Sequence, residues 1–91
     1  MQKVEGEKKG HDVKIYALST CMWCKKTKKL LDDNSVEYEF EDVDLLQGSE
    51  REDALSEIEK LNPKKTFPTI AVDGKGIIGF KEDELKEALG L

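Results

Sequence analysis

The sequence is short of several things, and each shortage excludes something. Two prolines and seven glycines are too few for a collagen-like or low-complexity chain, while 37% apolar residues is too many for one disordered throughout. No apolar run is longer than about four residues, Ile15 to Leu18, whereas a helix that crosses a bilayer needs roughly 20. Basic residues are outnumbered, 15 Lys and Arg against 20 Asp and Glu, for a net charge of -5. That balance argues against nucleic acid or a membrane as a main partner, since both favour a basic surface. There is one histidine, His11, and the only cysteines are Cys21 and Cys24. The opening stretch, Met1 to Asp12, is polar and lacks the apolar segment of a secretory signal, so a cytoplasmic, reducing location is expected.

What is present suits one compact domain, given 91 residues and a prior of about 150 per domain. Residues 1–12, with Gly6, Gly10 and many charges, read as a flexible polar tail, and residues 13–91 as the domain. Charge is segregated along it. Lys25, Lys26, Lys28 and Lys29 form a basic run, and twelve acidic residues lie between Asp32 and Lys60 against Arg51 and Lys60. Solvated faces of separate elements account for the acidic stretch.

Val13 to Leu18, apolar except for Lys14, reads as a short buried strand, and Ser19 and Thr20 after it are good helix-capping types. A helix is expected from about Cys21 to Leu31, stopping near Asn34 and Ser35. Val36, Tyr38 and Phe40 then alternate with Glu37, Glu39 and Glu41, the period of a strand with one buried face. The three elements make a βαβ unit, which forces parallel strands and a right-handed crossover. Ser49 and Glu52 fit a capping box, followed by Ala54, Leu55, Ile58 and Leu61 at helical spacing. Thr69 to Val72, the turn dipeptide Asp73-Gly74, and Ile77-Ile78 predict a hairpin. Leu85, Ala88 and Leu89 lie on one face of a last helix closed by Gly90. The predicted class is α/β with the order βαβαββα.

Several readings of the cysteine pair compete. As a structural staple, a loop of about four residues contributes only ~2 kcal/mol, and a cytosol would reduce it. As a zinc or iron-sulfur site it needs further ligands, which His11 alone does not complete and a second chain would have to supply. Two ordinary buried thiols would make the spacing a coincidence. The redox reading uses the setting. A thiolate attacks disulfides, and free N–H groups and the dipole at a helix N-terminus favour its charge, with Lys25 and Lys26 nearby. Cys21 is then the exposed nucleophile and Cys24, one turn on and facing inward, the resolving thiol. Trp23, between them, either presents a flat apolar surface to a partner or packs on the domain.

The stretch Tyr16 to Leu31, YALSTCMWCKKTKKLL, resembles the active-site segment of glutaredoxins and glutaredoxin-like redoxins. Thr66-Phe67-Pro68-Thr69 and Ile78-Gly79-Phe80 follow in the family's order, so the resemblance covers residues 13–91. It implies the thioredoxin fold, a four-stranded mixed sheet flanked by three helices. It also implies a cis Phe67-Pro68 bond facing the cysteines, leaving the Phe67 N–H and C=O to pair with an extended substrate segment. Trp23, Lys25, Phe67, Pro68, Gly79 and Phe80 are the implied substrate-binding set. The chain departs from glutathione-dependent members in carrying Met22 after the first cysteine, Leu18 in place of a basic residue before it, and Gly79-Phe80-Lys81-Glu82 in place of a Gly-Gly pair with an acidic or hydroxyl residue. These features are similar to redoxins of the NrdH type, which take electrons from a reductase. Lys25, Lys26 or Lys81 could still meet a glutathione carboxylate. The expectation is therefore a monomeric dithiol-disulfide oxidoreductase that reduces protein disulfides with no cofactor beyond its own disulfide. Its donor is a thioredoxin-reductase-like or ferredoxin-linked enzyme, or glutathione, and deglutathionylation and a dimeric metal-binding module are the alternatives.

Overall fold

A computed structural model describes residues 1–91. The first strand of the predicted order is β2 here, because the chain opens with a strand of its own. The elements are β1 (Gln2–Val4), β2 (Val13–Ala17), α1 (Met22–Asp33), β3 (Tyr38–Asp42), a 3-10 turn (Val43–Leu45), α2 (Gly48–Leu61), β4 (Thr69–Val72), β5 (Lys75–Ile78) and α3 (Glu82–Leu89). They build one five-stranded mixed sheet in the order β1-β3-β2-β4-β5. β2 and β3 run parallel, as the crossover requires, and every other pair is antiparallel.

Alternation along β2 sorts the helices onto two faces. Val13, Ile15 and Ala17 join Cys24 and Leu31 of α1 and Leu85 and Leu89 of α3 in the larger core. Tyr16 points the other way, to Val43 and to Ala54 and Ile58 of α2. The predicted stripe of α2 is thus a real face, with Ala54 and Ile58 buried. α3 ends as expected at Gly90, whose φ of 70° is a left-handed conformation that glycine takes without steric cost.

Three expectations need correction. The segment 1–12 is not a free tail. Gln2, Lys3 and Val4 pair with Phe40, Glu39 and Tyr38, and Lys8 bridges to Val36. The Lys3 ammonium reaches Glu37 at 3.7 Å, and Gly6 passes so close that a Cβ there would stand 2.6 Å from the Ser35 carbonyl oxygen. An edge strand needs backbone partners and little apolar area, so its composition gives no sign of it, and the sheet has five strands instead of four. Ser49 does not cap α2, because Gly48 at φ 62° takes the chain into the helix earlier and Gln47 occupies the N-cap with no side-chain bond. Neither Ser19 nor Thr20 caps α1. Cys21 is its N-cap, and the Ser19 hydroxyl donates to Asp44 at 2.5 Å.

Candidate active site

Register brings three loops to one end of the sheet. Tyr16 near the end of β2 is opposite Thr69 at the start of β4, and Thr69 is opposite Ile78 at the end of β5. The chain leaving β2 reaches Cys21, the chain entering β4 has just passed Phe67-Pro68, and the chain leaving β5 enters Gly79-Phe80. His11 belongs to the other end, where Val13 faces Val72, and its ring lies 2.6 Å from the Asp73 carboxylate. No group of three or more His, Cys, Asp or Glu side chains is arranged to hold a metal ion.

Cys21 is extended, with φ -81° and ψ 117°, and its sulfur accepts the backbone N–H of Cys24 at 3.2 Å. The sulfur thus takes the role that a serine or aspartate oxygen usually plays at a helix start. An anionic sulfur there is met by a donated N–H and by the positive end of the helix, and no acidic residue lies in the first turn to oppose it. Cys21 is half-buried and Cys24 fully buried, both as free thiols. Burial pushes the Cys24 thiol up to about 12; its hydrogen bond to Cys21 adds to the rise, and a backbone hydrogen bond at Leu18 opposes it. Behind the Cys21 loop, the Ser19 N–H and hydroxyl both donate to Asp44, which they hold below the usual carboxylate range. The connection between β2 and α1 is thereby pinned to the 3-10 turn.

Trp23 packs on the domain and still keeps exposed surface. It remains 54% exposed while stacking on Phe80, with centroids 5.9 Å apart and planes at 28°. The Lys26 ammonium lies 4.4 Å from the Trp23 centroid, a cation-π contact. Trp23, Phe67, Ile78, Gly79, Phe80 and Lys81 line a groove of about 310 Å³. Phe67-Pro68 is cis, Pro68 is buried, and the Pro68 carbonyl accepts the Gly79 N–H at 2.9 Å. Gly79 is at φ 78°, which a side chain would strain. Neither the N–H nor the C=O of Phe67 is paired within the fold.

The structure therefore brings together five of the six residues that the resemblance implied for substrate: Trp23, Phe67, Pro68, Gly79 and Phe80. Lys25 is exposed and lies outside the groove. Lys26, Lys81 and Ile78 take part where Lys25 does not. Their signal was present for Lys26 and Ile78, since a residue three after Trp23 shares its helix face and Ile78 precedes Gly79.

A sheet end that joins a dithiol at a helix start, a cis-proline loop and a glycine turn defines a protein of the thioredoxin fold with a CxxC site. The glutaredoxin family model matches residues 13–77. An uncharacterized glutaredoxin-like 8.6 kDa protein in a rubredoxin operon of Clostridium pasteurianum is 36% identical over 78 residues, 85% of this chain and 96% of that one. Among solved structures, a glutaredoxin from Methanosarcina mazei superimposes with a TM-score of 0.90 at 47% identity, covering 99% of this chain and 87% of that one. Methanosarcina acetivorans methanoredoxin gives 0.84 at 47% identity, over 88% and 85%. The chain belongs to the glutaredoxin family, and its family and fold support thiol-disulfide oxidoreductase activity.

Proposed function

We propose that the protein is a dithiol reductant of protein disulfides. The observation that carries the reading is the bond from the Cys24 N–H to the Cys21 sulfur at the start of α1. The Cys21 thiolate attacks one sulfur of a substrate disulfide, forming a mixed disulfide and expelling the other substrate sulfur as a thiolate, which takes up a proton. Cys24 then loses its proton and attacks the Cys21 sulfur, releasing the second substrate thiol and leaving a Cys21-Cys24 disulfide. Two electrons pass to the substrate. Charge on Cys21 disappears in the mixed disulfide, and with it the hydrogen bond to Cys21 that helps hold Cys24 protonated. Burial, the larger cause, stays in place, while the lesser contributions from Cys21 that keep the resolving thiol protonated end once Cys21 has reacted.

Exposed Met22, Trp23 and Ile78 and the open Phe67 backbone favour a protein segment as substrate, held by main-chain pairing along the groove. The cycle uses no cofactor beyond its own disulfide and proceeds in a reducing compartment such as the cytoplasm, in a monomer. A reductase of the thioredoxin-reductase-like or ferredoxin-linked class, or glutathione, regenerates the dithiol. Lys26 and Lys81 beside the groove keep glutathione in view as a donor.

The test is substitution of each cysteine. Cys24→Ser accumulates mixed disulfides with protein substrates, visible on non-reducing gels, while Cys21→Ser shows neither turnover nor adducts. Full reductase activity in Cys21→Ser overturns the assignment. Comparing glutathione with candidate reductases on the oxidised protein then identifies the donor.

A further inference from the structure

The loop from α2 to β4 carries Phe67 to the nucleophile, yet Pro63, Lys64, Lys65 and Thr66 are all exposed. No apolar side chain anchors it before Phe67. What holds it is polar. Asn62 is the C-cap of α2 and has no exposed surface. Its Oδ1 accepts the Lys64 N–H at 3.1 Å. Its Nδ2 has three acceptors, the Thr66 carbonyl at 3.1 Å, the Thr66 hydroxyl at 2.9 Å and the Thr69 hydroxyl at 3.2 Å. Thr69, also fully buried, donates its hydroxyl back to the Thr66 carbonyl at 2.7 Å.

One carboxamide thus ties down residues on both sides of Phe67-Pro68, while the Phe67 N–H and C=O between the tied points stay unpaired. A buried polar network with every member satisfied is rigid and admits one arrangement. Loops that present backbone groups to a ligand bind better when those groups are fixed beforehand, because less ordering is left for the moment of binding.

Resting on the dithiol reading above, we infer that Asn62, seconded by Thr69, is a positioning residue: it fixes the Phe67 main chain in the orientation that receives an extended disulfide substrate. It touches neither sulfur nor substrate. Its removal acts on recognition of a backbone and leaves the chemistry of Cys21 alone.

The experiment compares two substrates on the full chain. One is a disulfide-bonded peptide extending several residues to either side of its half-cystine; the other is hydroxyethyl disulfide, which has no peptide backbone. Asn62→Asp keeps the shape and the acceptor for the Lys64 N–H but loses the NH₂ donors. For the peptide, KM rises about five- to tenfold with kcat within about twofold, and hydroxyethyl disulfide turnover stays within about twofold. Thr69→Val preserves packing if the first variant fails to fold, and shifts the peptide KM the same way by about two- to fourfold.

A merely structural role lowers the unfolding midpoint and scales both substrates by the folded fraction, without splitting them. Equal losses on the two substrates, or a wild-type peptide KM in folded variants, overturn the positioning role while the dithiol reading stands. A wild-type protein that reduces neither substrate overturns both.

Discussion

The three helices of this fold start differently. α2 has Glu50 in its first turn and α3 has Glu82, Asp83 and Glu84, and neither has a side-chain cap. α1 has no acidic residue there, and the sulfur of Cys21 is its cap. Acidic side chains at a helix N-terminus each stabilise it by about 0.3–1 kcal/mol. α2 and α3 therefore use the positive end of the helix for stability, whereas α1 leaves it to a sulfur and adds Lys25 and Lys26. The same backbone feature supports the fold at two helix starts and chemistry at the third. What separates them is which side chains are withheld.

The strongest way to break the contrast is to damage a supporting helix and look for an effect on the reactive one. Leu85 of α3 is fully buried in the core that also holds Cys24. Leu85→Ala should cost about 2–5 kcal/mol in urea unfolding, yet leave alkylation of Cys21 by iodoacetamide in the folded protein within about twofold. A tenfold change in alkylation would mean that α3 tunes the sulfur. Next comes alkaline pH, which sets Cys24 apart from Cys21. The folded protein holds Cys24 up at about 12 against an ordinary 9.0. The unfolded chain therefore releases this proton first, so the stability it represents is complete below about 9 and is lost as pH climbs towards 12. Subtracting the stability curve of Cys24→Ala from that of the reduced wild type should leave a fall across that window. A flat difference would show Cys24 to be less buried than described.

Much of this was readable from residue order. The apolar run of Val13 to Leu18, the period-two alternation of Val36 to Glu41, the Asp73-Gly74 turn and the helical spacing in α2 and α3 matched the strands and helices of residues 13–91, and the spacing of Cys21 and Cys24 at a strand-to-helix junction pointed to the candidate site. β1 was not readable, since an edge strand held by backbone pairing and by Lys3 and Glu37 leaves no apolar period. The caps were misread for a related reason. Ser19, Thr20 and Ser49 are good capping types, but whether one caps depends on the path of the chain, and Gly48 and Asp44 redirect it. The stacking of Trp23 on Phe80 and the Asn62 network depend on tertiary placement that composition does not encode.

Replacing the cap tests whether α1 gives up stability for chemistry. Serine is among the preferred N-cap residues and its oxygen accepts a backbone N–H more strongly than a thiol sulfur. Compared with the protein carrying Cys21 as a neutral thiol, Cys21→Ser should therefore retain the fold and gain up to about 1 kcal/mol in thermal unfolding, while losing all disulfide reduction. A loss of stability would indicate that the sulfur is itself the better cap.

The smallest expected effects come from exchanging charge between the two kinds of helix start. Asp83 lies in the first turn of α3 and takes part in no ion pair, unlike Glu82, which holds Lys86 at 3.1 Å. Asp83→Asn should lower stability by about 0.3–1 kcal/mol and leave the thiols unaffected. Lys25→Glu places an acid where α1 has none. The new charge competes with the Cys21 thiolate for the positive end of the helix, so iodoacetamide alkylation at neutral pH should slow about two- to fivefold, and thermal stability should rise slightly. Because Lys25 is exposed, added salt should shrink the difference. Should both substitutions move stability alone, the positive end of α1 serves the fold as in α2 and α3, and the reactivity of Cys21 must come from its bond with the Cys24 N–H.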